Sequence, residues 1–364
     1  MEERPHDRAR RRWLRRFEVL HDRYGRLFWT LHSIWALLTG AAVLVLAHNR
    51  YGFLPWVILF LTLTWASALF FTRVLGTRPS RAFRFAQGFV SYLTRIMYQE
   101  TLFFLIPFYS YSATFPSWNV VYVGVLATLA VLSCFDLLFD RLLRTRPGFA
   151  MAFFAFVTFS ALNFFLPLFL QVRLAVGTSL AAGISFVAAI PLAYHLHELT
   201  EIRRAARIAA VFALVLLLAR LLLPLVPPVP LRLAKLRFAG QFDAATVSAP
   251  HEFADTIPQR ALVNHKLYAI ATIFAPSRLR AAISLRFITG GRTVRDSRIV
   301  ELLAHERGFR VWDALPAKAV SGRPTGSFPP GVYVVEVRTE DRRLLGRETV
   351  RVTEGRREPR QGEP

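Results

Sequence analysis

Three groups of residues in this sequence have the types and spacing that chemistry needs. The first lies in YLTRIMYQETLFFLIPFYSY, residues 92–111, an apolar stretch that nonetheless carries Arg95, Gln99 and Glu100. A charged side chain near a bilayer centre costs about 2.5–3.5 kcal/mol on insertion scales, so it turns to the protein interior and finds a partner. Gln99 is four residues from Arg95 and shares its helix face, whereas Glu100 lies about 140° away. Counted by depth along the apolar stretches, Glu100 is level with Arg220 of LLLARLLLP and with Asn163, and Asp136 is within reach of Arg95. Arg95, Gln99, Glu100, Asp136, Asn163 and Arg220 are therefore expected to form a polar cluster between helices. Such a cluster either fixes helix register or serves as a proton-binding or ligand site centred on Glu100.

The second group is YHLHELTE, with His195, His197, Glu198 and Glu201. His197 and Glu201 are four apart and His195 and Glu198 three apart, so two imidazole–carboxylate pairs lie on neighbouring helix faces. Imidazole and carboxylate suit zinc or manganese. The order is not the HExxH of a metalloprotease, and a polar helix end at a membrane interface accounts for the same residues. The third group is GFRVWDALP, where Arg310 and Trp312 are candidates for a basic-aromatic surface that would take an anionic glycan or lipid. A core tryptophan explains Trp312 equally well. No GxSxG, CxxC, P-loop or glycine-rich dinucleotide turn occurs, so no catalytic residue is assigned and no cofactor is expected. A single cysteine, Cys134, excludes a disulfide framework.

The elements that must position these groups are read from composition. The chain has 364 residues, 54% of them hydrophobic, and a net charge of +22 that is almost wholly arginine. Seven apolar stretches approach the length of about 20 residues that crosses a bilayer core: 28–47, 53–72, 87–109, 118–138, 149–170, 174–194 and 208–227. Arginines crowd the N-terminal segment and alternate separators, while the opposite separators hold only Arg50 and Arg173. The positive-inside rule then puts the N-terminus in the cytoplasm and residues beyond the last span outside. Residues 1–27 place Trp13, Phe17 and Leu20 at helical spacing among arginines, which suits a basic segment lying on anionic lipid.

Beyond LLLPLVPPVP the apolar period changes to two, in LRLAKLRF, KLYAIATIF, AAISLRFI, GVYVVEVRT and RETVRVT. Turn signals such as TGGR and TEDRR separate the runs, the pattern of a small antiparallel, Ig-like β-sandwich. The final residues, 354–364, are too polar to pack and are expected to be disordered.

Two stretches carry a resemblance. QETLFFLIPFYSYSATFPSWN resembles the third span of multi-span bacterial proteins that end in the domain of unknown function 2914. YAIATIFAPSRLRAAISLRF, followed by GVYVVEVRTEDRRLLGRETVRV, resembles that domain itself, closing on a glycine-arginine step, Gly346 and Arg347. The domain usually has a tryptophan after its late glycine, whereas here Val332 and Tyr333 follow Gly331. The resemblance implies an architecture and no reaction.

The expected molecule is an α-helical membrane bundle of about seven transmembrane helices (28–230) followed by a periplasmic β-sandwich (231–353). Its expected place is the bacterial inner membrane. Its expected role is non-enzymatic, the sandwich binding or sensing an envelope protein or glycan; the alternative is a transporter or membrane enzyme with a polar site around Glu100. Nucleic acid is not an expected partner, because the densest basic run adjoins the first span, where anionic lipid is nearest.

Overall fold

The computed structural model describes residues 34, 35, 38, 42, 63, 81–115, 117–193, 201–275, 279–302, 308–322 and 328–354. The basic segment 1–27 and almost all of the expected spans at 28–47 and 53–72 lie outside the described residues, as does the tail from 355. The chain forms two compact units, Met1–Phe104 with Leu126–Phe154, and Leu105–Val125 with Ala155–Pro364.

Among the described residues, six complete helices precede the strands: α1 Arg81–Ser112, α2 Asn119–Cys134, α3 Asp136–Thr145, α4 Pro147–Leu170, α5 Leu174–Ala193 and α6 Ile202–Leu221. Pro147 opens α4 at the position where a missing N–H costs nothing. The expected bundle of about seven transmembrane helices is corrected here. Among the described residues one helix, Gly148–Leu170, is long and apolar enough to cross a membrane, and Asn119–Cys134 and Leu174–Ile190 are shorter apolar helices. The stretch expected as a fourth span, 118–138, breaks at Phe135, where φ −88° and ψ 80° leave the helical region. The chain continues there as α3, DLLFDRLLRT, a ten-residue helix with four charged residues, the composition of a surface helix rather than a span. The stretch expected as a seventh span, 208–227, lies in α6 only as far as Leu221, and the first turns of that helix hold three arginines.

In the first unit, aromatic rings from α1, α3 and α4 interlock. The Phe139 ring lies 4.9 Å from Phe153, which meets Tyr98 edge-on at 5.5 Å.

In the second unit the strands are β1 Arg232–Ala239, β2 Thr256–Pro258, β3 Lys266–Phe274, β4 Ala282–Thr289, β5 Arg292–Asp296, β6 Val300–Glu301, β7 Phe309–Pro316, β8 Gly331–Thr339 and β9 Leu344–Thr353. They make a sheet ordered β1-β3-β7 and a larger one ordered β2-β9-β8-β4-β5, with β6 also on β4. A short helix, α7 (Ala317–Ser321), comes directly after β7. The expected all-antiparallel Ig-like sandwich is also corrected, because β2 runs parallel to β9 and makes the larger sheet mixed. Alternation sets the core: β4 buries Ile283, Leu285 and Phe287, and β8 buries Tyr333, Val335 and Val337, facing Leu236, Phe238 and Leu267 of the smaller sheet. Leu174, the first residue of α5, belongs to the same core. The two-residue turn between β4 and β5 is Gly290–Gly291, with φ of 56° and 74°, the left-handed pair a type I′ hairpin needs.

Candidate functional site

The second unit gathers its polar side chains where α1, α2, α4 and α5 meet. Tyr109 of α1 is fully buried and donates from Oη to the Ser160 carbonyl at 2.8 Å. Its ring stacks on Tyr122 of α2 with centroids 5.0 Å apart, and the Tyr122 hydroxyl meets Ser160 Oγ at 2.6 Å. Asn163 of α4 donates from Nδ2 to Tyr109 Oη at 3.1 Å. The Thr178 hydroxyl of α5 shares its one proton between Asn163 Oδ1 at 2.7 Å and the Leu174 carbonyl at 2.9 Å. Pro167 lies one turn beyond Asn163 and has no N–H to give the Asn163 carbonyl. Its ring seats on Gly177, where a Cβ would stand 2.8 Å from Pro167 Cγ. That close approach of α4 and α5 brings Thr178 to Asn163. Every group in this network is neutral, the form in which a polar side chain is buried at least cost.

The helix ends continue into the strands. Ser112 Oγ donates to the Leu231 carbonyl at 2.5 Å, and Asn119 Nδ2 to the Leu344 carbonyl at 3.1 Å. Asn119 Oδ1 accepts the Thr114 N–H at 3.1 Å. The Arg232 guanidinium lies 4.6 Å above the Tyr111 ring, and Arg173 reaches Glu340 at 3.6 Å. At the turn between β8 and β9, Arg343 is only 1% exposed and donates from Nε to Asp341 at 2.9 Å, with Nη2 in ion-pair contact at 2.8 Å but without a hydrogen bond of its own. Its Nη1 reaches the Pro227 carbonyl at 3.5 Å. Thr339 donates its hydroxyl to the other Asp341 oxygen.

The sequence matches a family of unknown function, DUF5924, over residues 10–269. The chain belongs to that family. No curated protein matches it. The DUF5924 match corrects the resemblance to the domain of unknown function 2914. The helical stretch 99–119 that carried the resemblance falls inside the DUF5924 match. The later strand pattern is an alternation that any two-sheet region can share.

The residues singled out from the DUF5924 sequence fall into different surroundings. Arg95 lies on α1 and Asp136 opens α3, and both side chains lie outside the described residues. Gln99 is buried and Glu100 half-buried, both in the first unit. Asn163 sits in the second unit, within the network above. Arg220 is exposed in the last turn of α6. His195, His197 and Glu198 lie outside the described residues, while Glu201 is exposed and pairs with Arg204 at 3.1 Å. Among the described residues no cluster of three His, Cys, Asp or Glu could hold a metal.

Arg310 and Trp312 project from β7 onto the outer face of the smaller sheet. The Trp312 ring lies 4.5 Å from Phe242 and 6.3 Å from Tyr268, so the tryptophan is half-buried under the segment that comes after β1. Arg310 holds that segment through the Val247 carbonyl at 3.2 Å and Glu252 at 3.7 Å. The outer face of the larger sheet carries a row of charges across β5, β4, β8 and β9: Asp296, Arg286, Glu336 and Arg347 stand opposite one another in register. Glu336 accepts from Arg347 Nε at 2.9 Å and Arg338 Nε at 2.8 Å. Burial pushes the Glu336 carboxyl up, but the hydrogen bonds and charges of Arg347 and Arg338 outweigh it and hold the group below the ordinary glutamate range.

Tyr109, Tyr122, Ser160 and Thr178 escape sequence reasoning because hydroxyls in an apolar helix raise no charge signal. The available signal is spacing: Ser160 and Asn163 are three apart, on one face of α4.

Proposed function

We propose that the chain is a membrane protein that meets a lipid bilayer through the apolar helix Gly148–Leu170 and the exposed face of α6, and whose β region acts as a non-enzymatic binding or sensing module. One observation carries this reading. Helix α6 has no buried residue, yet Val211, Leu214, Leu217, Leu218 and Leu221 are 42–65% exposed. A contiguous apolar surface of that kind marks a membrane or a partner, not water. The polarity of the helical part supports the same view, with Tyr109, Ser160, Asn163 and Thr178 inside and aliphatics such as Val176, Leu180, Ile184 and Val187 outside. Arg141, Arg144 and Arg146 precede the apolar helix Gly148–Leu170 and Arg173 alone follows it closely, a bias that favours a cytoplasmic N-terminal side in the bacterial inner membrane and a periplasmic β region. From Leu231 to Pro364 there are 23 basic and 14 acidic residues, a balance that favours anionic envelope components as partners.

Alkaline carbonate extraction of membranes containing the full chain tests the first half of the proposal. Retention in the pellet is expected, and release into the supernatant overturns it. Alkaline phosphatase or a cytoplasm-only fluorescent reporter fused after Glu354 tests the second half. Phosphatase activity without fluorescence is expected; the reverse places the β region in the cytoplasm and removes envelope components from consideration.

A further inference from the structure

We infer that one face of α6 is a docking surface for anionic lipid, with Arg203 and Arg207 as the phosphate contacts; this rests on the membrane reading above. Residues 203, 207, 210, 214, 218 and 221 recur every three or four positions, with 211 beside them, and all are exposed, so they form one stripe along the helix. The stripe is basic at its start and aliphatic for the rest of its length. The opposite side of α6 is occupied by α5: the Phe212 ring lies 5.5 Å from Phe186, and a Cβ on Gly183 would stand 3.6 Å from Phe212.

Charge and length both select the occupant. Three arginines stand in the first two turns, where the helix dipole disfavours cations. Arg204 is balanced by Glu201 at 3.1 Å. Arg207 lies along the helix surface, its Nε donating to the Arg203 backbone carbonyl at 3.3 Å, and Arg203 stands one turn before it on the same face. Two arginines one turn apart can both reach the oxygens of one phosphate, and guanidinium geometry suits it. From Arg207 to Leu221 the helix rises about 21 Å, most of a hydrocarbon core of about 30 Å. A phosphate held at the arginines therefore has room for its acyl chains along Val211, Leu214, Leu218 and Leu221. A free phosphate would use the arginines and leave the aliphatic stripe in water.

The test is local crosslinking. Ala210→benzoylphenylalanine places a photoreactive ring on the stripe beside Arg207, and the full chain is reconstituted in vesicles of phosphatidylcholine with or without phosphatidylglycerol. The expected result is preferential crosslinking to phosphatidylglycerol. In Arg203→Gln/Arg207→Gln the preference should fall roughly thirtyfold, from about fivefold for each arginine near an anionic surface. Arg203→Lys/Arg207→Lys should keep most of it, and both pairs lie on an exposed face where folding is not at stake. Equal labelling of the two lipids overturns the inference, as does crosslinking to a second copy of the chain. Retention on carbonate extraction with no lipid preference would sink the docking surface alone; release by carbonate would sink the membrane reading with it.

Discussion

Asn163 in the helical part and Glu336 on the larger sheet are each 1% exposed, yet one is neutral and the other is an anion. Asn163 is enclosed by α1, α4 and α5, and its partners are the hydroxyls of Tyr109 and Thr178. Glu336 lies on an outer sheet face, and its cover is made of Arg338 and Arg347, whose side chains are 25% and 39% exposed. A buried charge is tolerable where its counter-ions keep one end in water, since long side chains cover apolar surface and leave their heads solvated. Enclosed on all sides, a charge would be prohibitive and a neutral amide is used. Arg343 and Asp341 are the exception that probes the rule, a charged pair in which both side chains are buried, at 1% and 5% exposure.

That pair gives the largest expected effect. Asp341→Ala leaves the Arg343 guanidinium buried without its counter-ion, and removal of one partner of a buried ion pair costs about 3–5 kcal/mol. Denaturant unfolding of the detergent-solubilised chain should show the loss. Asp341→Leu with Arg343→Met should recover most of it, because a well-packed apolar pair needs no counter-ion. If the double variant is as unstable as the single one, the pair is held by its geometry and not by its charge.

Glu336 should cost less. Glu336→Gln keeps the shape and loses two charge-assisted interactions at a partly solvated site, about 1–2 kcal/mol at neutral pH. Because the folded carboxyl is held below its ordinary value, its stabilisation is complete above the unfolded pKa of about 4.3 and is lost as pH falls through the folded value. A melting-temperature series into acid should therefore converge for the wild type and Glu336→Gln. Parallel curves would place the acid sensitivity elsewhere.

Asn163→Leu is expected to cost about 1 kcal/mol. The value is small because its partners keep other bonds: Tyr109 still donates to Ser160 and Thr178 to Leu174. Thermal unfolding measures it, and a loss as large as that of Asp341→Ala would mean the network acts as one unit.

The same contrast explains what could be read in the sequence. The period-two runs lie on β1, β3, β4, β8 and β9, because alternation is the direct mark of a strand with one face buried. GFRVWDALP reads as a surface from its Arg and Trp, yet it lies largely on β7 and is the third strand of the smaller sheet. The parallel pairing of β2 with β9 is only three residues long, too short for any period. In the helices, hydrophobicity marks apolar segments but not their breaks. The chain from Ser133 to Phe139 reads as continuous, while the backbone turns at Phe135. Asn163 is visible as an amide in an apolar helix, but its partners are not, since tyrosine, serine and threonine are unremarkable there. Arg343 is equally hidden, as one of two adjacent arginines in a hairpin that reads as solvent-exposed.

The smallest effect compares two phenols. Tyr109 donates to the Ser160 carbonyl inside the helices, and Tyr333 donates to the Pro329 carbonyl at 2.9 Å from the β core. Tyr333→Phe removes one neutral hydrogen bond and leaves one carbonyl to find another donor, a loss of about 0.5–1.5 kcal/mol at neutral pH. Burial raises the Tyr333 phenol to about 12, above its unfolded value of about 10. Its contribution is therefore complete below that unfolded value and is lost as pH rises through the folded one. Melting temperatures of the wild type and Tyr333→Phe should differ at neutral pH and draw together in strong alkali. If the gap persists there, the hydroxyl does not titrate with unfolding, and the β core is as closed to hydroxide as the helical interior around Tyr109.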